Sequence, residues 1–205
     1  MTTGDKSAPT VLIPAAGQSS RMRGRDKLME LVDGVPLLKR QIYVVLDAGL
    51  SAVVTYDPGV TDRLTLLRSI KDDRLTLVPV KDAKMGISAS LRAGVTSLAT
   101  EAVAVMVLLP DLPDVTTSDI LNIAAAFDAH PNDVIRATDE NGRPGHPVIV
   151  PRHLFSKILG LTGDQGAKHV LKNEDIRLFP LAGTRAVTDL DTPEDWANWR
   201  ALTGC

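Results

Sequence analysis

Aromatic side chains are scarce in this 205-residue chain, where two Trp, two Tyr and three Phe make up 3% of the sequence. A surface that binds single-stranded nucleic acid needs aromatic stacking platforms, and too few are present to build one. Cysteine is rarer still. Cys205 is the single one and the last residue, so it has no intrachain disulfide partner, in keeping with a reducing compartment. An excess of charge is also missing: 23 Lys and Arg stand against 25 Asp and Glu, a formal charge of -2. No global field draws the protein to nucleic acid or to an anionic membrane, so any affinity for polyanions must be local. No apolar run approaches the ~18 to 20 residues of a membrane span, and Met1 to Pro9 is polar rather than signal-like. The expectation is a cytoplasmic protein with neither a nucleic-acid nor a membrane partner. His130, His153 and His169 lack metal-ligand spacing, which argues against zinc, and there is neither a Gly-x-Ser-x-Gly elbow nor a plausible Cys nucleophile.

What is present is an alternation of strand-like and helix-like segments. The length suits a single domain of residues 1–205 with one core, after a loose lead-in over residues 1–8. Strands are expected at Thr10 to Pro14, Ser51 to Tyr56 and Leu75 to Val80, and helices at Leu37 to Leu46, Thr61 to Ile70 and Ser88 to Leu98. Ala102 to Leu109 is almost uninterruptedly apolar, as a central strand buried on both faces would be. Thr116 to Asp119 supplies capping residues for a helix over Ile120 to Ala129. Turn residues in Asn141 to Gly145 separate short strands at Val134 to Ala137 and Pro147 to Val150. Helices near Arg152 to Leu159 and Gly166 to Asn173, strands at Ile176 to Leu181 and Ala186 to Leu190, and a helix over Pro193 to Leu202 complete the chain. This order predicts a three-layer α/β fold around a mostly parallel central sheet. Ligands of such sheets bind at the carboxyl ends of the strands.

The most informative stretch runs from Val11 to Lys27. Val11, Leu12 and Ile13 suit a buried strand; Ala15, Ala16, Gly17, Ser19 and Ser20 are small enough for a backbone to come close to a ligand and point N–H groups at it. Arg21, Arg23, Arg25 and Lys27 follow. The glycine and lysine spacing fits neither common phosphate-binding loop. Charge alone leaves two readings level, a phosphate cradle and a solvated basic loop.

Acidic residues fall at other strand ends. Asp111 comes directly after the central apolar run, where an oxygen ligand for a magnesium ion would be placed, although a turn aspartate between two prolines looks the same. In Asp189 to Asp195, Asp191 or Thr192 suits a helix cap and Pro193 a first turn. Alternation would put Asp189 and Asp191 on one side of a strand, with Asp191 nearest its end. Gly86, Ser88 and Ser90 stand where a helix begins and either hold a phosphate, ribose or base edge or merely cap the helix. His146 lies between glycine and proline, and Asp164 precedes Gly166 and Lys168. A lysine in a first helical turn opposes the helix dipole, which suggests a ligand for its charge.

Taken together, several motifs resemble the nucleotidyltransferases that activate the molybdenum cofactor, and look closest to the molybdopterin cytidylyltransferase branch. They are Pro14 to Met22 with Lys27 and Leu28, Met85-Gly86 with Ser90-Leu91, Leu109 to Pro113, Gly145 to Val148, Gly163 to Ala167, and Asp189 to Asp195. They stand in the family's order along nearly the whole chain. The resemblance implies a Rossmann-like nucleotidyltransferase fold and Mg2+-dependent transfer of CMP from CTP to the phosphate of molybdopterin or its molybdenum form, with release of pyrophosphate. It implies that Ala15, Ala16, Gly17, Gln18, Ser19, Ser20, Gly86 and Ser90 bind nucleotide and that Arg21 and Lys27 hold its phosphates and act in catalysis. By the same resemblance Asp111 and Asp191 hold the metal, Asp111 also being catalytic, and His146, Asp164 and Lys168 bind the acceptor. In this family alanine at the place of Ala16 accompanies cytosine specificity, whereas guanylyl transferases tend to carry glycine. A molybdoenzyme or its maturation chaperone would be the partner. Pro14, Pro110 and Lys168 depart from the usual pattern.

Two rival readings share these residues. One is a nucleotidyltransferase using GTP or another acceptor, such as a sugar or polyol phosphate. The other is a non-catalytic molybdopterin-binding delivery protein, which would bind ligand without releasing pyrophosphate and would have no need of a carboxylate beside a phosphate loop.

Overall fold

The computed structural model describes residues 8–205, so the expected lead-in falls outside the described residues apart from Ala8. Strand β1 (Thr10–Ala15) leads through the basic loop to a small hairpin, β2 (Leu31–Val32) and β3 (Val35–Pro36). Asp33 and Gly34, both at positive φ, turn that hairpin. Then come α1 (Leu37–Asp47), β4 (Ala52–Tyr56), α2 (Thr61–Ser69), β5 (Leu75–Pro79), α3 (Ile87–Thr96), β6 (Ala104–Val107) and α4 (Thr117–Ala129). The remainder comprises β7 (Val134–Thr138), β8 (Pro144–Pro151), α5 (Phe155–Leu159), α6 (Ala167–Val170), β9 (Ile176–Pro180) and α7 (Pro193–Thr203).

Seven strands form one sheet in the order β5-β4-β1-β6-β8-β7-β9. Neighbours pair in parallel except β8, which runs antiparallel to both β6 and β7. The alternation of side chains along each strand supplies two cores, one on each face. Val11 and Ile13 of β1 and Ala104 and Met106 of β6 pack with Leu38 and Ile42 of α1, Leu67 of α2 and Ile123 and Phe127 of α4. Leu12, Val105 and Val107 face the other way, onto Leu91 and Val95 of α3 and Ile158 of α5. The result is the expected three-layer, mostly parallel α/β architecture. A third cluster joins Met22 of the basic loop and Val32 of the hairpin to Trp196 and Trp199 of α7.

Pro14, which departs from the sequence pattern, sits where a donor is not missed. In a parallel ladder alternate residues donate to each neighbour; the N–H of Val11 bonds the carbonyl of Ser51, so the odd-numbered residues of β1 serve the β4 side. Pro14 falls on the β6 side, and β6 has already ended at Val107; the last bond there is Leu108 N–H to the Leu12 carbonyl. Absence of an N–H at Pro14 therefore breaks no ladder bond.

One expected strand is not formed. Residues 186–190 are turn and coil. The N–H groups of Val187 and Thr188 turn back onto the Thr184 carbonyl, the Ala186 carbonyl accepts from His146 N–H at 2.9 Å, and Leu190 N–H donates to the Asp111 carbonyl at 3.1 Å. β9 already forms the sheet edge, so the segment crosses strand ends with single bonds instead of a ladder.

Candidate active site

Five separate stretches meet in a cavity of about 720 Å3 at the carboxyl ends of β1 and β6. The loop after β1 contributes Gly17 to Arg21 and Lys27; the turn before α3 and its first residues contribute Lys84, Gly86, Ile87 and Ser90; Leu109 to Asp111, Asp164, Asp189 and Asp191 supply the remaining wall. On its wall Lys27 donates from Nζ to Asp111 Oδ2 at 2.6 Å and to Asp191 Oδ1 at 2.7 Å. Arg21, mostly exposed, takes the other Asp191 oxygen at 2.8 Å. Burial lowers the Lys27 pKa, but the charges and hydrogen bonds of Asp111 and Asp191 outweigh it, so the net shift is upward and the ammonium stays charged. Asp189 is shifted up, first by burial and then by the neighbouring Asp111 and Asp191 charges.

The loop before Lys27 is held in an uncommon conformation. Ser19 has φ 39° and Arg23 φ 52°, left-handed values that non-glycine residues adopt rarely. Ser19 Oγ donates to Asp26 Oδ1 at 3.1 Å and accepts from Lys27 N–H at 3.2 Å and from Arg63 at 3.0 Å, which fixes it there. At Gly17 an added Cβ would meet nothing within 4 Å. Gly86, with φ 88°, is different: a Cβ there would collide with Asp164 Oδ1 and the Gly163 carbonyl, so glycine lets α3 seat against the 163–164 loop. Ser88 N–H completes that seat on the Gly163 carbonyl at 3.3 Å.

The chain matches the MobA-like NTP transferase domain over residues 11–178. It belongs to that family. No curated protein gives a significant match. Among solved structures, the Mycobacterium tuberculosis Rv0371c homolog from Mycobacterium sp. strain JC1 is 24% identical, with 96% of each chain covered and a TM-score of 0.79. Rv0371c of M. tuberculosis, in a complex with manganese, is 21% identical, with 93% of this chain and 97% of that one covered and a TM-score of 0.76. Molybdopterin-guanine dinucleotide biosynthesis protein A from Archaeoglobus fulgidus is 14% identical, covering 95% and 98%, at a TM-score of 0.68. At these identities the likeness establishes the fold, a nucleotidyltransferase α/β fold.

Within this NTP transferase the structure sorts the residues singled out from sequence. Gly17, Gln18, Ser19, Ser20, Arg21, Lys27, Gly86, Ser90, Asp111, Asp164 and Asp191 line the cavity. Ala15 and Ala16 are buried just behind it. His146 does not line it: the ring lies under the site, Nδ1 3.3 Å from the Val107 carbonyl, and burial pushes its pKa down to about 4. Lys168 is exposed on the four-residue α6 and is not part of the cavity wall. Thr192, not Asp191, caps α7, in a capping box with Asp195 that leaves Asp191 to face the cavity. Ser88 does not cap α3; its hydroxyl accepts from Arg92 at 3.1 Å. Arg23 and Arg25 are exposed and pair with Glu194 and Glu30.

Sequence reasoning passed over Arg63. It is the third residue of α2, 1% exposed, and reaches back into the loop after β1. A cation in the first turn of a helix opposes the dipole, and that signal, applied above to Lys168, points with better effect to Arg63.

A divalent metal fits the acidic wall. Asp111 Oδ1 is buried with no hydrogen-bond partner, a free oxygen beside the one that Lys27 holds. Among the described residues no group of three or more His, Cys, Asp or Glu side chains is arranged to hold a metal ion. Asp111 and Asp191 could hold one only in combination with substrate phosphates and water, which is how magnesium is commonly bound.

Proposed function

We propose that this NTP transferase moves CMP from CTP to the terminal phosphate of molybdopterin or its molybdenum form and releases pyrophosphate. The observation that carries the reading is the junction of Lys27 with Asp111 and Asp191, at 2.6 and 2.7 Å, on the wall of a cavity that also exposes the small-residue loop. An acceptor phosphate oxygen forms a new bond to the α-phosphorus while the bond to the β-phosphate oxygen breaks, and pyrophosphate leaves with that electron pair. Both partners are anions, so orientation and positive charge supply most of the rate. Lys27 and Arg21 hold the triphosphate, and no side-chain nucleophile is needed. Gly17, Gln18, Ser19 and Ser20 offer backbone and hydroxyl donors to the nucleotide, with Gly86 and Ser90 opposite. Mg2+, held by Asp111 and Asp191, would neutralise phosphate charge. Ala16 is the feature favouring cytosine. Asp164 lies on the wall where an acceptor would enter, whereas His146 reaches an acceptor only through the strand it supports. The 205 residues would act as one domain, passing product to a molybdoenzyme or its maturation chaperone.

Asp111→Ala tests this directly. Loss of the carboxylate removes the buried oxygen but leaves Lys27 its bond to Asp191, so the fold should persist with divalent-metal-dependent turnover abolished. Turnover at the wild-type rate by a folded Asp111→Ala protein contradicts the assignment.

A further inference from the structure

Arg63 is the least exposed charged residue described in the molecule, at 1%, and it bonds to Ala15, Gly17, Ser19 and Asp26 at the end of β1 and in the loop after it. Its Nε and one terminal nitrogen grip Asp26 at 2.6 and 2.5 Å, a two-point pair. Its other terminal nitrogen donates to the Ala15 carbonyl at 2.7 Å and to the Gly17 carbonyl at 2.6 Å, while the terminal nitrogen that bonds Asp26 also donates to Ser19 Oγ at 3.0 Å. Asp26 in turn accepts from Ser19 Oγ at 3.1 Å and from Leu28 N–H at 3.0 Å, and so fixes both ends of the loop that carries Arg21 and Lys27.

The consequence follows from peptide geometry. In a planar trans peptide the C=O of one residue and the N–H of the next point in opposite directions. With the carbonyls of Ala15 and Gly17 turned toward Arg63, the N–H groups of Ala16 and Gln18 must point away from it. Among the described residues neither donates to a backbone carbonyl. A buried arginine could have been matched by one carboxylate alone. Here its donors are divided between the carboxylate and two carbonyls on alternate residues, an arrangement that sets peptide orientation.

We propose that Arg63, anchored by Asp26, is a positioning residue for the transfer reaction: it orients the peptide units of residues 15–18 so that the Gln18 N–H, on the cavity wall, meets the bound nucleoside triphosphate. This rests on the reading of the cavity as the nucleotide site. Arg63 touches no substrate itself and acts through the backbone it holds.

The test compares Arg63→Met, the double variant Arg63→Met/Asp26→Asn and Arg63→Lys. Arg63→Met leaves the half-buried Asp26 without its partner and should lower the melting temperature. The double variant removes both charges and should recover most of that loss. A purely structural role predicts that nucleotide affinity recovers with it. The positioning role predicts that CTP binding, by equilibrium titration, stays at least 10-fold weaker and that KM for CTP rises more than kcat falls. Arg63→Lys keeps the charge but cannot serve Asp26 and both carbonyls at once, so it should fold and still show the raised KM. Wild-type CTP affinity in folded Arg63→Lys or in the double variant overturns the proposal. If Lys27→Ala weakens CTP binding in the same titration, that failure belongs to Arg63 alone; if the wild type binds none of CTP, GTP, ATP and UTP, the site reading and the proposal fall together.

Discussion

At the scale of single residues, the site depends on how a few charges are shared. Lys27 lies between two carboxylates that burial would otherwise set against each other, and its raised pKa means that its share of stability is in full effect below about pH 10.5 and fades only above that, as pH climbs through the folded value. At neutral pH it is therefore a fixed cation. Lys27→Ala should lower the rate of transfer by on the order of 10² to 10³ if that cation meets charge developing on the phosphates. Steady-state kinetics with purified protein checks this, and a loss confined to KM would move Lys27 out of catalysis into ground-state binding. His146 works in the opposite direction. Its pKa falls from the usual 6.5 to about 4 in the folded state, so the unfolded chain binds the extra proton first. Stability from the neutral ring is complete above pH 6.5 and is lost as pH falls toward 4, by up to about 3 kcal/mol. Denaturation of His146→Gln across pH 4 to 7 should show a flatter acid limb than the wild type.

The elements show why some of these positions could be found from sequence and others not. β1, β4 and β6 were visible because strands buried on both faces need unbroken apolar runs, and α4 and α7 because their caps, Thr116 with Asp119 and Thr192 with Asp195, are local patterns. Asp111 was legible for the same reason, being the first carboxylate beyond a buried strand. The segment 186–190 looked like a strand because propensity does not reveal whether a free edge remains beside it. Arg63 was hidden because its partners, Ala15, Gly17, Ser19 and Asp26, are brought to it only by the packing of α2 onto the sheet. His146 and Lys168 were assigned to the acceptor by the resemblance of their loops, and the structure puts one beneath the cavity and the other outside its wall. Glycines carry a further element-scale prediction. Gly86→Ala forces a Cβ into the 163–164 loop at a backbone φ of 88°. A cost of about 1–3 kcal/mol is expected for the strained backbone alone, read as a lowered melting temperature.

Across the whole molecule, the sheet brings its acidic and basic groups together and the last helix holds them there. Trp196 and Trp199 of α7 pack edge to face at 6.0 Å over Met22 of the basic loop, Trp199 Nε1 donates to Asp114 at 3.0 Å beyond Asp111, and Arg200 reaches Glu30 at 2.9 Å. One element thereby ties the lysine-bearing loop to the aspartate-bearing one. Trp196→Ala should cost about 3–5 kcal/mol of stability, measured by chemical denaturation, and should raise KM for the nucleotide under conditions where the protein remains folded. The family relationship fixes the reaction class as nucleotidyl transfer, while base and acceptor are the parts of the account that rest on Ala16 and on the resemblance in the loops. The most direct measurement is pyrophosphate release with CTP, GTP, ATP and UTP in turn, with and without molybdopterin, in the presence of Mg2+. The predicted result is release that requires molybdopterin and is fastest with CTP. Release that is faster with GTP, or that ignores molybdopterin and responds instead to a sugar or polyol phosphate, would contradict it.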